Sequence, residues 1–516
     1  MGKARVLLVA SEAVPLMKTG GLADVISALA AELVERHVDA TVLMPAYPAA
    51  LAAADALRPL GPLLEDLPGG GPGRLLLGTM PGSGVPVLLL ETARFAVRSG
   101  NPYVDADGNE YPDNALAFGD LAHAAARICA GETVFPAPHV LHANDWHAGL
   151  APLLLRAQGI TGVGSALTIH NLAFQGNMAM DTADALGVPH AMRGADGAEF
   201  WGKLSFLKAG VAYADRITTV SDTYAREILT PQFGYGFEGM LNARRDALVA
   251  IANGVDTATW NPASDALIAR TFHVDDMSGK SSCKRELQKL SGLPVEPFAP
   301  LIALGSRITH QKMADVALAA LPRLLNIHPR AQIVVLGRGD QAYEAAFREL
   351  AAAHPDRVAV HMGYSEKLAH ALHAGADMLL HGSRFEPYGL TPIYSMLYGT
   401  IPVASRVGGL CDTVVDAGDG DAPADSASGV LFDGDDADDM VIALERALQL
   451  YSQGAHWQRM QRNAMRPDFS WSGPALKYLR MYEEIAPEAA RPLFANSLMP
   501  RAKEADLAAQ ALRARA

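Results

Sequence analysis

Short apolar runs rich in β-branched residues alternate along this chain with Ala- and Leu-rich segments of helical periodicity. Runs that are apolar throughout fit strands buried on both faces of a sheet, with helices covering those faces. The alternation therefore predicts α/β structure with doubly wound parallel sheets. The runs lie at residues 5–10, 87–91, 139–143, 166–170, 216–220, 301–305, 332–337, 357–362, 377–381 and 401–405.

The alternation weakens between residues 256 and 300, which contain an Asn-Pro turn, a charged stretch and three further prolines. A chain of 516 residues has room for two large domains. We predict one doubly wound domain at 1–258 and a second at 259–473, joined by a linker near 256–265. A helix at 474–487 and a tail at 488–516 follow, and the sequence assigns the tail no role.

Composition narrows the class of protein. Asp and Glu number 56 against 43 for Lys and Arg, a formal net charge of −13. Binding of nucleic acid is not expected, because phosphate neutralisation needs clustered cations. The three widely spaced cysteines suit neither a disulfide framework nor a zinc knuckle. No apolar stretch reaches the roughly eighteen residues of a membrane span, and no secretory signal precedes the first run. These features predict a cytoplasmic enzyme with no membrane partner.

The residues that follow each run are the most informative, because ligands of open parallel sheets bind at the carboxyl ends of the strands. After the first run, Lys18 precedes Gly20 and Gly21 at the start of a helix. Glycine lets backbone N–H groups approach an anion, the helix N-terminus carries partial positive charge, and lysine adds a full charge. The loop is neither G-x-G-x-x-G nor a Walker A sequence. It predicts a diphosphate cradle or, alternatively, a plain structural turn.

Polar residues also follow the later runs. Asp145 and His170 come after runs in the first half, where such residues either cap a helix or line a ligand site. Arg307 and Lys312 follow a run in the second half and suit a phosphate. Glu386 stands between an aromatic residue and a proline, an arrangement costly for structure alone. None of these groups has the spacing of metal ligands, so neither a metal nor a cofactor is predicted.

Eight segments together resemble the bacterial glycogen synthase and plant starch synthase family. They occur in the family's order, and the resemblance runs from residue 5 to about 485. The segments are KTGGLADV at 18–25, NDWHAGL at 144–150, TIHNLAFQG at 168–176, ANGVD at 252–256, SRITHQK at 306–312, SRFEPYGLT at 383–391, RVGGLCDTV at 406–414 and DFSW at 468–471.

The resemblance implies a GT-B fold, in which two Rossmann-like domains face each other across a cleft. The C-terminal helix, here 474–487, would cross back to the first domain. The implied reaction moves glucose from ADP-glucose to the non-reducing 4-hydroxyl of an α-1,4-glucan (glycogen), with retention at the anomeric carbon and no metal. The partners would be the nucleotide sugar and the glucan, and the oligomeric state is left open.

The resemblance also implies a role for individual residues. Glu386, His170, Asp145, Arg307 and Lys312 would be the catalytic group, with the two cations on the leaving diphosphate. Other residues would bind substrate: Lys18, Gly20 and Gly21 at the diphosphate, Asn253 near the glucose, Tyr364 stacked on adenine, and Gly389, Leu390 and Thr391 at a helix N-terminus.

The sequence departs from the family pattern beside several of these residues. Met313 stands where the family usually has glycine, Gly382 where it has proline, and Tyr388 where it has cysteine. None of these departures removes a charged group named above. They leave open the donor preference, the acceptor length and the turnover. The alternative interpretations are a UDP-sugar donor, a small phosphorylated acceptor, and a non-catalytic glucan-binding homologue, against which the intact charged residues argue.

Overall fold

A computed structural model describes residues 2–105, 107–418 and 425–499. The chain divides into two compact units. Of the described residues, the first unit contains those up to Val220, Ala225–Gly254 and 470–499, and the second contains Ser221–Tyr224 and those within Val255–Phe469. The boundaries between the units thus fall after Gly254 and after Phe469, whereas the sequence analysis predicted domain ends at residues 258 and 473. Residues 500–516 of the tail defined from the sequence lie outside the described residues.

The strands of the described residues are short. They are β1 (Arg5–Val9), β2 (Asp39–Pro45), β3 (Asp55–Pro59), β4 (Leu64–Leu67), β5 (Gly71–Thr79), β6 (Pro86–Glu91), β7 (Val140–Asn144), β8 (Gly164–Ile169), β9 (Asn177–Ala179), β10 (Glu199–Phe200), β11 (Lys203–Ser205), β12 (Arg216–Thr219), β13 (Leu248–Ala250), β14 (Leu301–Gly305), β15 (Gln332–Gly337), β16 (Val358–Met362), β17 (Met378–His381), β18 (Ile401–Ser405) and β19 (Val430–Phe432).

The α-helices of the same ranges mostly follow the parallel strands. They are α1 (Gly21–Glu35), α2 (Pro48–Ala53), α3 (Ala93–Ala96), α4 (Asn114–Cys129), α5 (Asp145–Ala157), α6 (Thr182–Ala185), α7 (Phe206–Tyr213), α8 (Asp222–Glu227), α9 (Glu238–Ala243), α10 (Ser278–Leu290), α11 (Ala314–Ile327), α12 (Gln341–Ala353), α13 (Glu366–Gly375), α14 (Leu390–Leu397), α15 (Gly408–Thr413), α16 (Ala437–Ser452), α17 (Gly454–Met465), α18 (Ser472–Ile485) and α19 (Arg491–Ser497). None of them combines the length and the apolar character needed to cross a bilayer.

The main sheet of the first unit has the described strand order β13-β12-β8-β7-β1-β2-β6-β5-β3, with β4 paired to β5. From β13 to β6 the neighbours are parallel, as the sequence predicts. The strands β3, β4 and β5 are antiparallel to their partners, which the sequence analysis did not predict. These strands are half-exposed and lack a continuous apolar run, so the pattern that marks buried parallel strands is absent from them.

The sheet of the second unit has the order β16-β15-β14-β17-β18-β19, and all its described pairs are parallel. In chain order this is 3-2-1-4-5-6, the arrangement of a dinucleotide-binding Rossmann domain. Its centre is a buried apolar cluster that includes Ala303, Val334 and Leu379. Burial of these strands on both faces explains why their sequences are apolar throughout.

The helix α18 belongs to the first unit through buried hydrogen bonds. The Tyr482 hydroxyl lies 2.7 Å from Nδ1 of His142, and Nε2 of that histidine lies 2.6 Å from Oγ1 of Thr168. The Thr168 hydroxyl continues to Thr218 at 2.6 Å. The chain of contacts joins α18 to the strands β7, β8 and β12, so this helix packs as part of the first sheet domain.

Candidate functional site

Each main sheet has one point at which the chain order reverses direction. In the second unit this point lies between β14 and β17, and in the first unit between β1 and β7. Loops that leave neighbouring strands in opposite directions open a crevice there, which is where ligands bind in open α/β sheets. The residues after β14 and β17, and those after β1 and β7, are therefore the first places to look for chemistry.

A charged cluster occupies the reversal point of the second unit. The Lys312 ammonium pairs with Oε2 of Glu386. The same carboxylate oxygen lies 2.9 Å from Nε2 of His381 and 3.1 Å from the Ser383 hydroxyl. Lys312 follows β14, whereas the other three residues lie at the end of β17 or just after it, so the cluster joins two loops that are far apart in the chain.

The electrostatics of this cluster keep Glu386 ionised. Burial by itself raises the pKa of the Glu386 carboxyl, but Lys312 and His381 overcome it and hold that pKa far below the usual range. Burial, together with the Lys312 charge, lowers the pKa of His381, so its ring is neutral at pH 7. Neutral His381 then donates from Nε2 to the carboxylate, and its Nδ1 has no hydrogen-bond partner among the described residues. A permanently negative carboxylate stabilises a neighbouring positive charge but is a poor proton donor.

Arg307 is exposed and lies on the same loop as Lys312. It donates to the side-chain oxygen of Gln311 at 3.1 Å, and the Gln311 amide donates to the Phe385 carbonyl at 3.1 Å. The Arg384 backbone N–H donates to the Gln311 carbonyl at 2.9 Å. The loops after β14 and β17 are thus held together by direct hydrogen bonds, which brings both predicted cations to one end of the sheet.

The N-terminus of α14 follows Glu386 directly. Gly389 has φ +95°, a left-handed conformation, and a Cβ there would lie 2.8 Å from Leu410 Cδ2, so the position requires glycine. Leu390 and Thr391 open the helix, and no side chain caps it. Backbone N–H groups at such an end suit an anionic oxygen.

Tyr364 lies in the loop after β16, the edge strand of this sheet. Its side chain is 67% exposed and its hydroxyl is hydrogen-bonded to Glu366. Glu366 lies 3.3 Å from Nε2 of His370, and Nδ1 of that histidine lies 2.6 Å from Asp265. Hydrogen bonds through Glu366 and His370 therefore connect the exposed tyrosine to the buried Asp265 in the second unit.

In the first unit, the loop after β1 is organised by a residue that the sequence analysis did not single out. Glu12 accepts hydrogen bonds from the Thr19 N–H at 2.5 Å and from the Gly20 N–H at 3.3 Å. Lys18 pairs with Asp24 at 2.9 Å, and Gly21 is the first residue of α1. The Gly20 amide, predicted to meet a diphosphate, thus meets a carboxylate here, and burial raises the pKa of that carboxyl.

Asp145 follows β7 at this reversal point, and His170 follows the neighbouring strand β8. Asp145 begins α5 at φ +55° and accepts from the His170 N–H at 2.7 Å. Burial raises the pKa of the Asp145 carboxyl to about 7, and burial lowers the pKa of His170 to about 3. The His170 Nε2 lies 3.0 Å from Oδ1 of Asn144, so the neutral ring donates there and keeps Nδ1 as its acceptor. Asn253, the remaining predicted residue, is buried in the first unit.

The predicted residues are thus divided between the two units, and the contacts shown bring together Asp145 with His170 and Lys312 with Glu386. The structure adds residues that sequence reasoning missed. His381, Ser383 and Glu12 touch predicted groups directly. All three lie at the end of a strand or in the loop after it. This position was the one feature of the sequence from which they could have been predicted as site residues. Tyr103, which donates to Glu12 at 2.7 Å, had no such signal because it lies 91 residues away in the chain. Within the described ranges, no group of three His, Cys, Asp or Glu is arranged to hold a metal ion.

Met313 and Gly382, two residues that depart from the family pattern, lie next to each other in the structure. A Cβ on Gly382 would lie 3.0 Å from Cε of Met440, 3.1 Å from the Met313 Cβ and 3.2 Å from the Met313 sulfur. Met313 is fully buried and has φ +52°, where glycine is favoured. Met313 therefore fills, together with Met440, the space that a side chain at 382 would need, so the two departures partly compensate each other.

We expect Gly382→Ala to lower the free energy of unfolding by about 1–3 kcal/mol, because the added carbon overpacks the methionine. In the double variant Met313→Gly with Gly382→Ala, the loss should be smaller than the sum of the single losses, by at least about 0.5 kcal/mol. Urea unfolding of the four proteins measures this coupling. Gly454→Ala, where a Cβ meets nothing within 4 Å, is the control and should be neutral. Strict additivity would contradict the compensation.

Comparisons with known proteins give a consistent result. Residues 5–243 match the family described as starch synthase catalytic domain, and residues 296–466 match glycosyl transferases group 1. A glycogen synthase of Ralstonia nicotianae is 54% identical over 94% of this chain and 88% of that protein. A glycogen synthase of Bordetella parapertussis is 50% identical over 96% of this chain and 99% of that protein.

Solved structures agree with these relatives. The catalytic domain of starch synthase IV from Arabidopsis thaliana, bound to ADP and acarbose, superposes with a TM-score of 0.84. It is 28% identical and covers 94% of this chain and 99% of its own. A sucrose-phosphate synthase from Thermosynechococcus elongatus, 17% identical, has a TM-score of 0.58 over 93% of this chain and 99% of its own, a likeness of fold alone.

Proposed function

Since this chain belongs to the family of bacterial glycogen synthases, and is therefore a glycosyltransferase of glycogen synthesis, we propose that it transfers glucose from ADP-glucose to an α-1,4-glucan. The resemblance and the GT-B fold predicted from the sequence are both confirmed. The proposed acceptor group is the 4-hydroxyl at the non-reducing end, and the anomeric configuration is retained.

The observation that carries this proposal is the Lys312–Glu386 cluster at the reversal point of the second sheet. Breaking a glucosyl–phosphate bond places positive charge on the sugar ring and negative charge on the departing diphosphate. Glu386, ionised at neutral pH, suits the developing positive charge. Lys312 is positioned beside it and suits the departing phosphate. One cluster thus supplies both signs of charge that the transition state needs.

Further hydrogen-bond donors are placed to stabilise the negative charge on the departing diphosphate. Arg307 shares the loop of Lys312, and the N–H groups at the start of α14 add partial positive charge. Preorganised groups of this kind contribute about 3–4 kcal/mol each to a developing charge. Lys18 is proposed for the same diphosphate, with Gly20 and Gly21, on the strength of the family motif.

Asp145 and His170 are proposed to act near the transferred glucose and the acceptor. Neutral His170 offers a ring nitrogen as hydrogen-bond acceptor, and Asp145 holds its backbone N–H in place. Asn253 is proposed to bind the same sugar. Tyr364 suits a flat base because its ring is exposed and its hydroxyl is held by Glu366. An adenine nucleotide is favoured because the starch synthase IV neighbour was solved with ADP.

We also propose that the chain acts in the cytoplasm, with neither nucleic acid nor a membrane as partner. The net charge of −13 opposes polyanion binding, and the three cysteines of the described residues are all free thiols. The glucan and the nucleotide sugar are then its principal partners.

A donor panel tests the proposal. ADP or UDP release is measured from ADP-glucose, UDP-glucose and UDP-galactose, each with glycogen, with a phosphorylated sugar in its place and with no acceptor, and labelled product is sized. We expect release only from ADP-glucose with glycogen present, and labelled chains longer by single glucose units. UDP release from UDP-glucose, with no ADP release from ADP-glucose, would contradict the proposed donor. Formation of a labelled disaccharide phosphate from a phosphorylated sugar would contradict the proposed glucan acceptor.

A further inference from the structure

One buried histidine touches both charges of the cluster in the second unit. His381 is the last residue of β17 and pairs in register with Ala404 of β18, so the sheet fixes its backbone. Its side chain is 2% exposed. Its Nε2 lies 2.9 Å from Oε2 of Glu386 and 3.4 Å from the Lys312 ammonium. The segment that resembles the family begins two residues later, so the resemblance assigns His381 no role.

The contacts of His381 determine which ring nitrogen carries the proton. An ionised carboxylate oxygen accepts hydrogen bonds and donates none, so Nε2 carries the proton and donates to Glu386. Nδ1 is then an acceptor, and it is buried without a hydrogen-bond partner among the described residues. A second proton on the ring would turn Nδ1 into a buried donor that lacks an acceptor, which costs free energy. The site therefore stabilises the neutral ring with its proton on Nε2.

The donors that surround the Glu386 carboxylate meet at one of its two oxygens. Lys312, His381 and Ser383 all contact Oε2, and within the described residues no group donates to Oε1. The Ser383 backbone N–H donates in turn to the Ser405 hydroxyl at 2.8 Å, which fixes the position of this serine. Donors from two loops thus set the orientation of the carboxylate. Oε1 is left to face a positive charge that develops on a sugar.

The proposed function gives Lys312 two tasks at once. Its ammonium is the counter-charge of Glu386, and it is also proposed to meet the departing diphosphate. As the ammonium turns to the phosphate oxygens, its attraction to the carboxylate is shared and therefore weakens. Burial by itself raises the pKa of Glu386, so the carboxylate then needs other donors to stay ionised. The Nε2–H of His381 and the Ser383 hydroxyl are the described donors that remain.

We propose that His381 is a positioning residue for the transfer step, whose Nε2–H holds the Glu386 carboxylate ionised and oriented while Lys312 engages the diphosphate. This inference rests on the proposed function, because the second task of Lys312 is taken from it. His381 acts through Glu386 and touches neither the sugar nor the phosphate. A protonated ring would place a second positive charge beside Lys312 and would offset the negative charge of Glu386. The transfer rate should therefore fall as the ring becomes protonated.

The expected pH dependence follows from the titratable groups that face His381. Among the described residues these are Lys312 after β14, Glu386 on the loop after β17, and His373 on α13. Burial and the Lys312 charge lower the pKa of His381, whereas Glu386 raises it. The pKa of His373 is lowered to about 3, so that ring adds no charge near neutral pH. A diphosphate on Lys312 would compensate the ammonium charge, so the pKa of His381 should be higher with nucleotide bound than without it.

Two substitutions of His381 separate positioning from packing. His381→Leu removes the donor, and we expect kcat to fall about 10- to 100-fold while KM for ADP-glucose stays within about twofold, because a hydrogen bond to a charged group is lost and no substrate contact is. His381→Gln keeps an N–H donor and does not titrate, so it should retain kcat within about threefold near pH 8. ADP release with saturating glycogen measures both, and the unfolding midpoint of each variant shows that it is folded.

The decisive measurement is the ratio of kcat in His381→Gln to kcat in the wild type, followed from about pH 8 to about pH 5.5. Titrations that both proteins share, such as that of Asp145, cancel in this ratio. We expect the ratio to rise at least about threefold as the pH falls, because the wild type alone acquires the protonated ring. His373→Gln is the matched control. It replaces another buried histidine of the same unit, which is hydrogen-bonded to Ser395 and not to Glu386, and its ratio should stay level.

NMR of histidine-labelled protein gives a readout that needs no turnover, with the His381 signal identified by its absence from His381→Gln. We expect a proton on Nε2 and a pKa that rises when ADP is added. Wild-type kcat in folded His381→Leu, a level ratio in His381→Gln, or a His381 pKa that ADP does not change would each overturn the proposal. If the wild type released no ADP from ADP-glucose and the His381 pKa still rose with ADP, the proposed transfer would fail while the positioning of Glu386 by His381 would stand.

Discussion

Lys312→Ala is expected to lower kcat for glucose transfer by about 100- to 1,000-fold, which corresponds to about 3–4 kcal/mol of transition-state stabilisation. The ammonium is mostly buried and pairs with Glu386. A water molecule in the space left by the lysine side chain would be neutral and would not supply the lost positive charge. Glu386→Gln should cause a comparable loss, because it keeps the shape and removes the negative charge. ADP release with saturating glycogen and ADP-glucose measures both effects.

A structural explanation of the loss has to be separated from a chemical one. Removing one partner of a buried ion pair leaves the other charge uncompensated and can cost about 3–5 kcal/mol of stability. The unfolding midpoint and ADP affinity of each variant are therefore measured beside kcat. Arg323→Ala, which breaks the exposed Arg323–Asp438 pair of the same unit, is the control and should keep full activity. Folded Lys312→Ala or Glu386→Gln with wild-type kcat would contradict the assignment of this cluster.

Acid is expected to destabilise both units well above the pH at which carboxylates titrate. Burial lowers the pKa of His142 in the first unit, and of His373 in the second, to about 3. The unfolded chain takes up a proton near the ordinary histidine pKa, about 6.5, whereas the folded chain does not. The contribution of each neutral histidine to the free energy of unfolding is complete above about pH 6.5 and is lost as the pH falls toward 3. The slope is up to about 1.4 kcal/mol per pH unit for each histidine.

Other groups modify this slope in the first unit. His170 adds a further loss in the same pH window, because its pKa is also lowered to about 3. Asp145 acts in the opposite direction, since its pKa is raised to about 7 and the folded state binds a proton before the unfolded state does. The His170 and Asp145 contributions offset each other between pH 6.5 and about 4. Burial also lowers the pKa of His147, which adds to the loss caused by His142, and raises the pKa of Asp120 to about 6, which opposes that loss.

Urea unfolding between about pH 7 and about pH 4.5 measures the predicted slope. His373→Gln should reduce the pH dependence of the second unit by about one proton, and His273→Gln, at an exposed position, should leave it unchanged. Equal unfolding midpoints at pH 7 and pH 5 would show that these buried histidines do not carry the acid sensitivity.

Much of the fold was predictable because the relevant signals are local. Continuous apolar runs marked the buried strands β1, β7, β8, β14 and β17, and the glycines at 20, 21 and 389 marked the helix starts that follow strands. The antiparallel strands β3 to β5 were missed because a half-exposed edge has no such pattern. The short segment Ser221–Tyr224, which belongs to the second unit, was missed because nothing local marks it.

The sequence by itself determined where the ionisable groups lie relative to the strands: Lys312 after one strand, Glu386 after another, Asp145 and His170 after two more. The placement follows from strand period and turn chemistry, which act over a few residues. Only the tertiary structure decided what those groups do to each other. Lys312 and Glu386 are 74 residues apart, and their pairing with His381 exists because the loops of two adjacent parallel strands meet at one edge of the sheet. That pairing holds Glu386 charged in spite of its burial, and burial together with the Lys312 charge holds His381 neutral; no local pattern encodes either effect.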